Sequence, residues 1–321
     1  MSSVGSARSN LTTTEVSTAG AVSGAATRLL CQPLDVAKIR LQLQVEVGVL
    51  RKYNNLLQLL TTMPREEGIL ALWKGHVPAQ LLSVTYGLAS FAVFESLAAS
   101  LGTSKVLTDN PQYKLMTNFV CGGLGGCAGT VASFPFDVLR TRFVAQNSAV
   151  YTSSIQAARQ LYKEGGMAAY YKGLVPALLA VTPQAALQFG FYSLLTNLLD
   201  SLVTRKDEEL GQRITLLGSL SCGGIAGMGS KAILYPLDVV KKRLQISGWE
   251  KGREGLGVTP VYSNMRNCIK EMFLKEGLSS LYKGFTPALI KAVSTTSLHF
   301  MAYEYVCQVI TMWHKLDSPT R

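Results

Sequence analysis

Three segments of this chain run through the same residue types in the same order: "QPLDVAKIRLQ" at 32–42, "FPFDVLRTRFV" at 134–144 and "YPLDVVKKRLQ" at 235–245. Their prolines, Pro33, Pro135 and Pro236, stand 102 and 101 residues apart. Other positions keep step. A G-x-x-x-G precedes each proline (Gly20 and Gly24, Gly122 and Gly126, Gly223 and Gly227) and a tyrosine follows it (Tyr53, Tyr151, Tyr262). Twenty residues after that tyrosine begins a triplet of aromatic, lysine and glycine, closing at Gly75, Gly173 and Gly284. One unit is therefore written three times, and the fold must accommodate three equivalent copies.

The intervals between markers separate packed parts from loops. From proline to tyrosine the gaps are 20, 16 and 26 residues, whereas the twenty that follow never vary. Variable length belongs to a surface loop and constant length to a packed element. Each copy thus reads as a long apolar helix ending in the charged motif, a loop, a short amphipathic helix and a second apolar helix. Pro78, Pro176 and Pro287 are expected at the first position of that second helix, where a missing N–H costs nothing.

Hydrophobic residues make up 48% of the 321 residues and charged ones 16%, against roughly 25% charged in a soluble domain. The second helices can each span about 30 Å of hydrocarbon. Two spans per unit return every copy to the same side of the membrane, so the copies pack about a pseudo-threefold axis and enclose a cavity. The expected fold is an all-α membrane protein of six transmembrane helices in three pseudo-threefold repeats, with short helices at one end. The repeats are read as 16–108, 109–208 and 209–311, between tails at 1–15 and 312–321. The G-x-x-x-G faces are expected to bring backbones close, and the motif prolines to kink their helices inward.

A formal charge of +11 admits nucleic acid, or anionic lipids and solutes, as partners. The cations recur at repeating places and form no basic run, which argues against nucleic acid. Cys31, Cys121, Cys127, Cys222, Cys268 and Cys307 form no C-x-x-C pair and read as small packing residues. The Ser/Thr-rich N-terminus has no apolar core, so no secretory signal is expected. His76, His299 and His314 are the only histidines, and H-E-x-x-H, Walker A and G-x-S-x-G are missing. Gly123, Gly125 and Ala128 fit a G-x-G-x-x-A, but within an apolar run with no preceding strand, where close helix packing explains them better. Neither an enzyme nor a cofactor or metal site is expected.

A single P-x-D-x-x-[KR]-x-R is weak evidence, since an acid and a base three apart on a helix form an ordinary surface pair. Three at a fixed period, joined to the endings "WKG", "YKG" and "YKG", make the chain resemble the mitochondrial carrier family from about Val16 to Val309. The resemblance implies a monomeric solute carrier of the mitochondrial inner membrane, with cardiolipin among its lipids. It implies that Asp35, Asp137 and Asp238 pair with Lys38, Arg140 and Lys241 of neighbouring repeats as a ring closing the matrix end. Gln42 and Gln245 would brace such pairs by hydrogen bonds, which Val144 cannot. The plainer reading is that these residues cap helix ends at the headgroups. The second motif half is complete as "EGILALWKG" and "EGLSSLYKG", but the middle copy has Gly165 in the acid's place and Glu164 one residue early. At the opposite end Glu95 and Glu304 remain, while Ala98 and Cys307 replace bases and Ser193 an acid, so a weak outer ring is expected.

A threefold scaffold must read an unsymmetrical solute with residues that break the symmetry. Five places before the motif proline stand Arg28, Thr130 and Lys231; seven after the closing glycine stand Leu82, Ala180 and Lys291. Arg28, Lys231 and Lys291, lone cations in spans, are the candidate anion ligands. Tyr86, Gln184 and Thr295 follow one turn on, then Ser90, Gln188 and His299, with Ser83 beside Leu82. These could hydrogen-bond or stack on a heterocycle; helix packing or interface anchoring would also account for Tyr86, Ser83 and His299. Within the family, "WKGHVPAQ", "PFDVLRTRF", "YKGLVPAL" and "YPLDVVKKRLQ" look most like members that carry thiamine pyrophosphate. A pyrophosphate suits two or three cations, and an aminopyrimidine suits amides and aromatics. Nucleotides suit nearly the same site, which leaves a nucleotide or coenzyme A carrier as the alternative, and a nucleotide as candidate counter-substrate.

Overall fold

The computed structural model describes residues 12–45, 52–102, 111–146, 151, 153–202, 208–249 and 260–317, and among these the regular elements are all helical. Repeat 1 comprises α1 (Thr13–Leu43), α2 (Leu56–Glu67), a 3₁₀ turn (Ile69–Trp73) and α3 (His76–Gly102). Repeat 2 comprises α4 (Pro111–Ala145), α5 (Ser154–Ala169) and α6 (Leu174–Leu202). Repeat 3 comprises α7 (Glu208–Gln245), α8 (Met265–Glu276), a 3₁₀ turn (Leu278–Tyr282) and α9 (Phe285–Asp317).

Local chemistry sets where these helices begin. Thr12 and Glu15 form a capping box that starts α1 inside the segment read as a tail. Asn55, Ser153 and Asn264 cap the short helices through the backbone N–H groups of Gln58, Gln156 and Asn267. The motif prolines Pro33, Pro135 and Pro236 lie inside α1, α4 and α7, which run on through them. Pro78, Pro176 and Pro287 occupy the third helical residue, not the first. The substitution is still free of cost, because the first four N–H groups of a helix have no partner within it.

The stretches Ile69–Leu101, Met116–Ala145 and Leu174–Leu199 are long and apolar enough to cross a membrane. Helices α1, α7 and α9, of 31, 38 and 33 residues, match them in length and carry charges within their span. The second helix of each repeat packs on the first helix of the next: α3 on α4, α6 on α7 and α9 on α1. The ring therefore closes within one chain. Its packed core lies at the end bearing the short helices, around Leu43, Leu59, Met63, Phe134 and Leu161.

Close backbone approach does not follow the repeated G-x-x-x-G. No atom lies near enough to touch a methyl added at Gly20, Gly24 or Gly122. In α4 the neighbouring register does the work: a methyl at Gly125 would meet the Ser90 carbonyl at 2.8 Å, and one at Gly129 the Tyr86 carbonyl at 2.9 Å. The phase of the helix turns Gly125 and Gly129 toward α3, which also absorbs the dinucleotide-like glycines into packing. The six cysteines are unpaired, and all but Cys127 are buried.

The closing glycines also make close contacts between repeats. Gly75, Gly173 and Gly284 take φ of 75°, 86° and 77°, a region that favours glycine. A methyl on each would strike the carbonyl of Arg140, Lys241 and Lys38 at 3.1, 2.8 and 2.9 Å respectively. Each repeat thus abuts the backbone of its neighbour's motif cation.

Candidate gate and solute-binding site

Where the motif helices converge, their charges meet across repeats. Arg140 lies 2.6 Å from Asp35, Lys241 lies 2.8 Å from Asp137, and Lys38 lies 3.2 Å from Asp238. Each cation reaches the carboxylate of another repeat, so the pairs form a closed loop of three. The Arg140 contact is ionic, its geometry falling outside that of a hydrogen bond. Lys38 also lies over the Tyr235 ring, and Lys241 over the Phe134 ring.

The ring is not threefold in detail. Asp137 receives a second lysine: Lys242 donates to its Oδ1 at 2.8 Å and also reaches Thr141 and Gln245. Sequence reasoning missed Lys242; the signal was that two lysines are adjacent only in the third motif, where Ile39 and Thr141 hold the equivalent place. Gln245 donates to Asp137 Oδ2 at 2.7 Å. Gln42 does not brace an ion pair. Its amide donates to the Tyr235 hydroxyl at 3.0 Å, which in turn donates to the Lys283 carbonyl. Tyr235 replaces the Gln32 and Phe134 of the other motifs, and its hydroxyl links Gln42 to the Lys283 carbonyl.

A second tier, joining the ends of the long helices to the short ones, was also missed. Arg40, Arg142 and Arg243 follow the motif proline by seven residues and bind Glu67, Glu164 and Glu276. Arg40 and Arg243 make the bond with both guanidinium nitrogens and continue to carbonyls of the next repeat, Val144 and Gln146 or Gln42 and Gln44. Burial would raise the Glu67 and Glu276 carboxyls, but the arginines, with Lys74 and Lys283, hold both below their ordinary value. The recurrent arginine and the acid of "EG" were the available signal. In repeat 2 the early glutamate still reaches its arginine, because Gly165 and Gly166 leave helical geometry (φ −163°, ψ 21° and φ 59°, ψ −151°) and take up the extra residue. The loop ends are pinned alike: Gln44 and Gln146 accept from the N–H of Tyr53 and Tyr151, and Ser247 from that of Tyr262.

Of the cations chosen for solute binding, two are already engaged. Arg28 donates to the Ala79 carbonyl and the Ser83 hydroxyl, joining two of the candidates. Lys291 is not unpaired: it lies 2.5 Å from Asp35 Oδ1, on the opposite oxygen from Arg140. Lys231 is half-buried in α7 and has no ionic partner among the described residues. Thr295 is spent on a contact to Cys31 at 3.5 Å across α1 and α9. Tyr86 packs along the Gly126 and Gly129 face of α4. Gln184, Gln188 and His299 are exposed, and no hydrogen bond joins them to the three cations among the described residues. At the far end Glu95 and Glu304 are exposed and make no ion pair among the described residues.

The family model described as "Mitochondrial carrier protein" matches residues 9–105, 111–202 and 212–312. The chain belongs to the mitochondrial carrier family, and is a transporter, not an enzyme. It is 41% identical to the mitochondrial thiamine pyrophosphate carrier of Homo sapiens over 96% of both chains. It is 37% identical to mitochondrial thiamine diphosphate carrier 2 of Zea mays, covering 90% of this chain and 92% of that one. To mitochondrial thiamine pyrophosphate carrier 1 of Coccidioides immitis it is 33% identical, with 92% of each chain covered.

Proposed function

We propose that this chain carries thiamine pyrophosphate across the mitochondrial inner membrane by alternating access. The observation that carries the reading is the place of Lys291: a cation that breaks the threefold pattern shares Asp35 with the gate cation Arg140. Arg28 and Lys231 supply the other positive charges, and the relatives that match nearly the whole chain, thiamine pyrophosphate carriers, point to the solute. The loop of three ion pairs is the matrix gate. A diphosphate drawn to Lys291 competes with Asp35 for the ammonium, so occupancy changes the charge balance where the gate must part. A solute can shift the two-state equilibrium only through such differential contact. The outer ring, lacking its bases, is weak and closes when the matrix ring opens.

In this reading the carrier works as a monomer, since the ring and its site are complete in one chain. Cardiolipin is its lipid partner, taken by grooves between repeats of about 690 Å³ beside Gly173 and Tyr262 and about 630 Å³ beside Gly284 and Tyr53.

The test is uptake by purified protein in liposomes, with thiamine pyrophosphate, thiamine monophosphate, thiamine, nucleotides and coenzyme A in competition. Thiamine pyrophosphate is expected to be taken up and to be inhibited least by free thiamine. Lys291→Ala is expected to abolish uptake while the melting temperature shows a folded protein. Preference for nucleotides or coenzyme A would overturn the solute and leave the family standing.

A further inference from the structure

One junction of the ring departs from the other two. Between repeats 1 and 2 the Arg40 Nε donates to the Val144 carbonyl at 3.0 Å, and between repeats 3 and 1 the Arg243 Nε donates to the Gln42 carbonyl at 3.4 Å. The closing lysines there, Lys74 and Lys283, each lie 2.6 Å from a glutamate. Between repeats 2 and 3 neither requirement is met. Arg142 is 2% exposed, and its Nε has no acceptor among the described residues. Lys172 reaches only the Ser247 carbonyl, at 3.3 Å, and has no carboxylate partner among the described residues. The cause is the register: Glu164 precedes its closing glycine by nine residues, where Glu67 and Glu276 precede theirs by eight.

Where a carbonyl would be expected, the Trp249 ring covers the guanidinium at 5.3 Å and stacks on Tyr151. The indole N–H is buried; it lies by the Tyr151 hydroxyl, outside the geometry of a full hydrogen bond. A cavity of about 360 Å³ lies at this point, lined by Arg142, Lys172, Ser247, Gly248, Trp249 and Glu164, the last already paired with the Arg142 guanidinium. Buried donors left without acceptors are costly, and a water could meet one of them but not neutralise an ammonium.

We propose that this cavity is a second binding site, for a small phosphoryl oxyanion such as inorganic phosphate. The oxyanion takes the place of the missing carboxylate and carbonyl: its oxygens accept from Arg142 Nε and from the Lys172 ammonium, with the indole N–H as a third donor. Bound there, it clamps repeat 2 to repeat 3 at the end bearing the short helices, which is the matrix face if the proposed function holds. Among the described residues the other two junctions have no such site, because their own glutamates and carbonyls fill it.

Trp73→Phe with Trp313→Phe leaves Trp249 as the sole tryptophan of three. Phosphate titrated into this protein at constant ionic strength, in vesicles of phosphatidylcholine alone, is expected to change Trp249 fluorescence saturably. Lys172→Met is expected to raise the half-saturating concentration about tenfold, the effect of losing one charge-assisted hydrogen bond. Lys291→Ala, which disables the central site, is expected to leave it unchanged, so failure here is separable from failure of the transport reading. A response produced only by cardiolipin-containing vesicles would assign the oxyanion to a lipid headgroup and overturn a free ligand. A flat titration, or one that Lys172→Met does not shift, would overturn the site. Should the tryptophan variants unfold, a phosphate-dependent rise in melting temperature of the unsubstituted chain, lost in Lys172→Met, reads the same binding.

Discussion

Asp137 and Asp238 occupy equivalent places and live in different surroundings. The Asp137 side chain is 9% exposed and holds two lysines; that of Asp238 is 38% exposed and holds one. Asp137→Asn leaves the buried Lys242 and the half-buried Lys241 without their shared carboxylate, an arrangement costing about 3–5 kcal/mol, whereas Asp238→Asn breaks a screened pair worth about 0–1 kcal/mol. Thermal unfolding of the two variants in detergent is expected to rank them in that order; equal losses would count against the asymmetry. Glu67 and Glu276 give a pH signature. Their folded-state pKa values are lowered from 4.5, so their contribution is complete above that value and fades as pH falls through the lower, folded value. Melting temperature is therefore expected to hold steady near neutrality and fall in acid, and Glu276→Gln to be less stable at pH 7 with a shallower acid slope. The ring acids and their partners were legible in three aligned motifs. Lys242 and the Gln42 to Tyr235 bond were not, because each depends on which residue the neighbouring helix happens to present.

At the scale of elements, the closing turns link sequence to assembly. Gly68 and Gly284 both have positive φ, 85° and 77°, but only Gly284 has a neighbour, the Lys38 carbonyl. Gly68, with ψ of 160°, sits in a region open essentially to glycine alone, so Gly68→Ala is expected to cost the conformational term alone, about 1–3 kcal/mol. Gly284→Ala adds a steric clash with repeat 1, and is expected to lower the melting temperature further and to weaken transport. Six long helices and three short helices could be placed from marker spacing, while most of the intervening loop residues lie outside the described residues. Helix phase could not: the G-x-x-x-G at constant offset is repeated, yet Gly125 and Gly129, one register over, make the close contact. Repetition identifies what the three copies share, and the side of a helix that meets its neighbour depends on tilt.

For the whole molecule, the loop of three ion pairs is a property of three repeats at once. Lys38→Asp and Asp238→Lys each put like charges face to face between repeats 1 and 3. Each single variant is expected to lose uptake in liposomes, and the double variant to recover a substantial part of it; no recovery would mean that these residues act separately. The limits of sequence reasoning have the same origin at this scale. Arg28, Lys231 and Lys291 were found by asking what is not triplicated, but that Lys291 would fall on Asp35 required knowing how α9 closes against α1.

That closure has a practical meaning. Helix α9 lies against α1 in the way that α3 lies against α4 and α6 against α7, so the order in which ribosomes deliver the hairpins is one of three equivalent cuts through a circle. A permuted gene, opened ahead of α4 and stitched from α9 back to α1, would encode the same circle with new ends.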